Sequence, residues 1–205
     1  MTVMLTRRDL VIGLAATALL APTPTLGQAV PTPAQGLGPL YPPERPRDPD
    51  FDLTRIAGRA GRAKGSAIEV SGRVLEVDGR PIAGADVQIW QADDFGRYHR
   101  PRDNSTAPLD ADFQGFGAVL TGADGAYRFR TIRPGGYANR TPHIHYMVKV
   151  HGRPRLVTQM YFAGEPRNDR DAPLAGIAEP VRHSAVIVPF DAAGQGRFDI
   201  VMAPA

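Results

Sequence analysis

The stretch Tyr137-Ala138-Asn139-Arg140-Thr141-Pro142-His143-Ile144-His145 sets a phenol, a guanidinium and two imidazoles close together. It follows Pro134-Gly135-Gly136 and runs into Ile144, Tyr146, Val148 and Val150, apolar at every second position. Strict alternation is a strand pattern. Residues two apart on a strand point to the same face, so His143 and His145 share one face and Ile144 and Tyr146 the other. Two imidazoles on one face, with Tyr137 and Arg140 just upstream, read as part of a metal site. The chain has no cysteine. That excludes disulfides, thiolate sites and cysteine nucleophiles and leaves nitrogen and oxygen donors for any metal.

The elements that must hold such a site are short strands. Gly 22 and Pro 20 in 205 residues favour turns over long helices. Ile68 to Val77, Ala85 to Trp90, Gly125 to Ile132, Leu156 to Phe162, Ala185 to Val188 and Phe198 to Met202 read as strands, the first ending at the turn dipeptide Asp78-Gly79 and the third following Asp124-Gly125. Room for a helical turn exists only in Ile177 to Val181 and in the N-terminal part. The expected fold is all-β, a β-sandwich of short, mostly antiparallel strands with long functional loops. Trp90, Tyr127 and Phe129 are its expected core aromatics. Gln91 to Thr121, carrying Tyr98, His99, Asp110, Phe113 and Phe116, is too long for a hairpin loop, and long loops in compact domains are often functional.

Three segments follow from composition. Residues 1–28 hold Arg7-Arg8 ahead of the apolar run Leu10 to Leu20, which is too short to span a membrane and resembles a Tat-type signal peptide. The implied location is periplasmic or secreted, in a bacterium, with no membrane insertion once the signal is removed. Residues 29–65 form a Pro/Arg-rich arm, expected to wrap the domain or to lack order in part. Residues 66–205 form the β-sandwich domain. The net charge of +3 is small and the arginines are scattered, so no nucleic-acid partner is expected.

An ordered series of motifs then carries a resemblance. It comprises Gly72-Arg73-Val74, Gly79-Arg80-Pro81-Ile82-Ala83-Gly84-Ala85, Val87-Gln88-Ile89-Trp90-Gln91-Ala92-Asp93 and Gly96-Arg97-Tyr98. It continues through Phe113-Gln114-Gly115-Phe116-Gly117, Tyr127 to Gly135, Pro142-His143-Ile144-His145 and Thr158-Gln159-Met160-Tyr161-Phe162. The series resembles the intradiol ring-cleavage dioxygenases, the protocatechuate 3,4-dioxygenase type more than the catechol 1,2-dioxygenase type. The resemblance implies a non-haem Fe(III) centre held by Tyr98, Tyr137, His143 and His145, with Tyr98 and His143 equatorial and Tyr137 and His145 axial. It implies Arg140 and Gln159 beside the substrate, with Tyr137 also acting in catalysis. The implied partners are a small-molecule catechol and O2, and the implied reaction opens the ring between its hydroxyl-bearing carbons to a muconate-type diacid. Homo-oligomerisation is compatible with this reading. His99, His151 and His183 match no family position and are expected in loops or at the surface.

Only five residues separate Tyr137 from His143, fewer than in better-known members, which implies an open pocket mouth and a broad catechol range that includes bulky ones. Two alternatives remain on sequence. Gly72 to Gln88 alone also resembles non-enzymatic transthyretin-like or carboxypeptidase-regulatory binding modules. Zinc or copper on the same ligands would suit a hydrolase, although two tyrosinates favour a harder ion.

Overall fold

The computed structural model describes residues 29–204 apart from 43, 47, 101, 102 and 179. The proposed signal segment lies outside the described residues. Among the described residues, nine strands form two mixed sheets. One holds β4 (Ala126–Ile132), β1 (Ala67–Glu76) and β8 (Gln195–Arg197), with β9 (Ile200–Met202) also paired to β1. The other runs β3 (Phe116–Leu120), β2 (Asp86–Trp90), β5 (His143–Val150), β6 (Arg153–Phe162) and β7 (Ile187–Val188). The pairs β1–β4, β2–β3, β2–β5 and β5–β6 are antiparallel, and short parallel pairings add β7, β8 and β9. This is the expected β-sandwich.

Alternation decides which side chains meet between the sheets. Val70 and Val74 of β1, Val87 and Ile89 of β2, Tyr127 and Phe129 of β4, and Ile144, Tyr146 and Val148 of β5 form one buried cluster. Close approach is needed where β1 passes the chain before β9. A Cβ on Gly72 would overlap the carbonyl oxygen of Phe198, which fits glycine at that place. Trp90 departs from expectation. It faces the other way along β2 and joins Tyr98, Phe116 and Met147 in a second cluster on the outer face of the five-stranded sheet. The reason is the strand period: with Val87 and Ile89 inward, Gln88 and Trp90 must point outward.

That outer face would be solvated in an open sandwich, yet β5 is buried on both sides over its first six residues. The N-terminal arm covers it. The Gln35 amide donates to the Val157 carbonyl at 2.8 Å, Thr158 Oγ1 donates to the Pro33 carbonyl at 2.8 Å, and Tyr41 donates to Gln88 Oε1 at 2.9 Å while its ring meets Trp90 edge-on. Further along, Ala118 and Arg130 bond the carbonyls of Pro49 and Phe51, so the arm closes the side between β3 and β4. Leu53 is fully buried in the main cluster. The described part of the arm therefore wraps the domain, and its packing crosses the boundary placed at residue 65.

The sequence reading missed four elements. The loop Gln91 to Thr121 contains β3, whose residues Phe116 to Leu120 pair with the whole of β2; Gly117, its second residue, conceals the strand pattern. β8 has one apolar position at most. A 3-10 turn at Asn168–Arg170 and helix α1 (Ala172–Ala175) lie ahead of the expected helical turn, which corresponds to α2 (Pro180–Ser184). Among the described residues no helix is long and apolar enough to cross a membrane.

Candidate metal centre

Four side chains point their donor atoms at one place. Tyr98 Oη lies 3.5 Å from Tyr137 Oη, Tyr137 Oη lies 3.4 Å from His143 Nε2, and His143 Nε2 lies 3.2 Å from His145 Nε2. The histidines come from β5, on the face opposite Ile144 and Tyr146, as the alternation requires. The tyrosines come from two turns packed backbone to backbone. The Gly135 amide donates to the Asp93 carbonyl at 2.8 Å, and a Cβ on Gly96 would meet the Gly136 carbonyl oxygen at 2.6 Å. Glycines in Gly96-Arg97-Tyr98 and Gly135-Gly136-Tyr137 thus let two distant tyrosines face each other. Buried Asp93 shapes the first turn, its Oδ1 accepting from the amides of Phe95 and Arg97 at 2.9 Å.

The imidazoles are held in a usable form. His143 Nδ1 is 2.7 Å from the Thr141 carbonyl oxygen. A carbonyl only accepts, so Nδ1 carries the proton and Nε2 presents its lone pair to the centre. Burial, followed by the charge of Arg140, pushes His143 down to about 4. Burial, followed by its neighbour His143, holds His145 well below the ordinary histidine range. Both rings are neutral at neutral pH. His145 is also braced by Trp90, stacked at 4.8 Å and 9°.

The phenols behave oppositely. Burial raises both Tyr98 and Tyr137, and for Tyr98 the neighbouring Tyr137 raises it further. Two phenols side by side in a buried place cannot both ionise unless a cation offsets them. The donor spacing suits one. With donor-to-metal distances of about 2 Å, donors at right angles to 120° lie about 2.8–3.5 Å apart. Among the described residues no three His, Cys, Asp or Glu side chains cluster as they would in a site free of tyrosine. The set therefore fits a hard cation that draws two phenolates and two neutral imidazoles.

A cavity of about 250 Å³ opens beside this centre, bordered by Tyr137, Arg140, His145 and Gln159. Tyr98, 3% exposed, stands behind it, whereas half-buried Tyr137 borders it. Arg140 crosses the cavity wall: its Nη2 donates to Gln159 Oε1 and its Nε to Asp171 Oδ2 at 2.8 Å. Asp171 is fully buried and also accepts from the amides of Thr141 and Leu174, the second as the N-cap of α1. Asp171 was missed in the sequence, although an aspartate just before Pro173 in a helix's first turn is a start signal. Also missed was the arm's share of the cavity. Gly36, Gly38, Pro39 and Leu40 wall it together with Pro173, so the short segment from Tyr137 to His143 does not leave the mouth bare. His99 lies against Phe113 instead, and His151 sits exposed in the β5–β6 turn.

The dioxygenase family model matches residues 37–201. The chain is 41% identical over 157 residues to the protocatechuate 3,4-dioxygenase beta chain of Burkholderia cepacia, covering 73% of this chain and 63% of that one. The chain belongs to the intradiol dioxygenase family. Another family relative, a hydroxyquinol 1,2-dioxygenase of Nocardioides simplex, is 32% identical over 175 residues, covering 71% of this chain and 57% of that one. The chain thus spans under two thirds of the length of these curated relatives. Among solved structures, the dioxygenase domain of a dioxygenase carbohydrate-binding protein fusion from Streptomyces sp. SirexAA-E matches at TM-score 0.67 and 36% identity, covering 86% of this chain and all of that one. An intradiol ring-cleavage dioxygenase from Tetranychus urticae, 22% identical, shares the fold at TM-score 0.68. The matched span, residues 37–201, contains the positions of both tyrosines and both histidines. The binding-module alternative rested on Gly72 to Gln88 alone.

Proposed function

We propose that the protein is a non-haem ferric dioxygenase that opens catecholic rings between the two hydroxyl-bearing carbons, giving muconate-type diacids. The observation that carries this is the convergence of Tyr98, Tyr137, His143 and His145 on one point at the edge of a cavity that Arg140 and Gln159 also border. These four residues would hold the metal. Ferric iron, when bound, supplies the charge that ionises the phenols and makes the bound ring open to dioxygen. Zinc and copper fit less well, because a site with two phenol oxygens suits a harder ion.

The chain's own groups then have separable tasks. Tyr98 is fixed in the second cluster and would serve only to hold the metal. Tyr137 borders the cavity, so its phenolate oxygen is the one placed to accept a substrate hydroxyl proton. Arg140 cannot act as an acid or base near neutrality. Its guanidinium, aimed by Asp171 and Gln159, orients the ring and offsets negative charge that builds as the ring reacts. Overall, catechol gains both atoms of dioxygen and loses the carbon–carbon bond between its hydroxyls. Arg7-Arg8 ahead of Leu10 to Leu20 supports action after Tat export, in the periplasm or outside the cell. The test is product analysis by mass after incubating iron-loaded protein with catechol and labelled O2. A diacid holding both labelled atoms is expected. Recovery of unchanged catechol, a quinone or a product of cleavage beside the hydroxyls would overturn the reading.

A further inference from the structure

We propose that the cavity selects catechols with uncharged, apolar ring substituents and discriminates against ring carboxylates, with the arm segment Gln35 to Leu40 as the selecting wall. The inference rests on the functional reading above and names the substrate class of that site. Its first support is the wall itself. Away from the metal-side groups the cavity is bounded by Gly36, Gly38, Pro39, Leu40 and Pro173, none of which carries a polar side chain. Its second support is charge. Arg140 is the one basic side chain among the described residues bordering the cavity, apart from neutral His145. Its guanidinium is committed to buried Asp171 at 2.8 Å and to Gln159. Asp171 offsets much of the Arg140 charge, so a ring carboxylate would lose its water without gaining a free cation in return. Burying an unpaired carboxylate is costly, whereas a methyl or similar group gains from contact with Leu40 and the prolines.

The wall is fastened in a way that makes it part of the site. Gln35 Oε1 accepts from the amide of Gln159 at 3.0 Å. Its Nε2 donates to Tyr161 Oη at 2.8 Å and to the Pro173 carbonyl at 3.2 Å. One arm side chain therefore links β6, beside the residue that holds Arg140, to α1, beside the residue that neutralises it. Leu40 packs into the cluster of Trp90, Tyr98 and Tyr137, so the wall rests on the metal-side aromatics. The cavity, at about 250 Å³, lies just below the roughly 300–1,000 Å³ of drug-sized pockets, which suits one ring with a short substituent.

The test is an anaerobic titration of iron-loaded protein, following its visible absorption, with 4-methylcatechol and with 3,4-dihydroxybenzoate. Binding is read without turnover, so a failure of ring opening does not disturb it. The methyl compound is expected to bind at least about tenfold more tightly. Leu40→Lys supplies the missing cation and should narrow or reverse that ratio. Gly36→Lys is the second variant, since a Cβ at Gly36 meets nothing within 4 Å and folding is not at issue. Equal or tighter binding of the carboxylate by the unaltered protein would overturn the proposal. So would an unchanged ratio in both variants. Failure of 4-methylcatechol to perturb the spectrum would overturn both the selectivity and the placement of the substrate site.

Discussion

At the residue scale, the site separates holding from aiming. His143 is tautomer-fixed by the Thr141 carbonyl, and His145 is braced by Trp90. Arg140 is directed by Asp171 and Gln159. Removing the guanidinium should leave the metal centre intact. Arg140→Leu is expected to retain iron and colour while kcat falls by on the order of a hundredfold to a thousandfold, the usual loss for one preorganised donor. Steady-state rates beside a visible spectrum would check this, and native turnover would make Arg140 a bystander. Tyr98→Phe should do the reverse, lowering metal affinity and colour together, as metal analysis after dialysis would show. These residues were legible in the sequence because each sits in a motif whose spacing survives folding: a strand pair for the histidines, a glycine turn for each tyrosine. Asp171 was not legible. Its role depends on a contact across 31 residues, and no local pattern marks a carboxylate that pairs with a distant arginine.

At the element scale, α1 is a four-residue helix too short to persist alone, so its place depends on its cap and on Gln35. Asp171 caps it and aims Arg140 at once. Asp171→Asn keeps an oxygen for the cap but removes the charge paired with the guanidinium. The expected result is a kcat lowered well beyond the change in KM, with colour retained and a lowered melting temperature, because the new amide nitrogen faces the Arg140 and Thr141 donors. A pure loss of stability with native kcat would confine Asp171 to capping. The strands that carry the histidines were readable because β5 alternates cleanly. β3 was not, because Gly117 breaks its alternation and it is recruited by the neighbouring β2. Tertiary pairing also explains β8, whose three residues read as a turn but pair with β1. Trp90, an expected core aromatic, does not lie in the sandwich interior. The phase of alternation set by Val87 and Ile89 places it on the outer face.

At the scale of the whole molecule, the arm turns an ordinary sandwich into one with a covered outer face and a cavity on it. Its prolines correctly excluded regular structure, but its hydrogen bonds to β6, β3 and β4 join partners far apart in the chain and leave no local trace. The same chain carries the twin-arginine segment, and changing Arg7 and Arg8 together to lysine should hold the protein in the cytoplasm; unchanged export in a fractionation assay would favour a Sec route. The central claim is that two tyrosines and two histidines hold one ferric ion. The most direct measurement is metal analysis combined with the visible spectrum of protein matured in its native host. About one iron per chain and a red-brown tyrosinate absorption are expected, both lost on chelation and restored by iron. A colourless protein without iron, or one holding zinc and active without iron, would contradict the account.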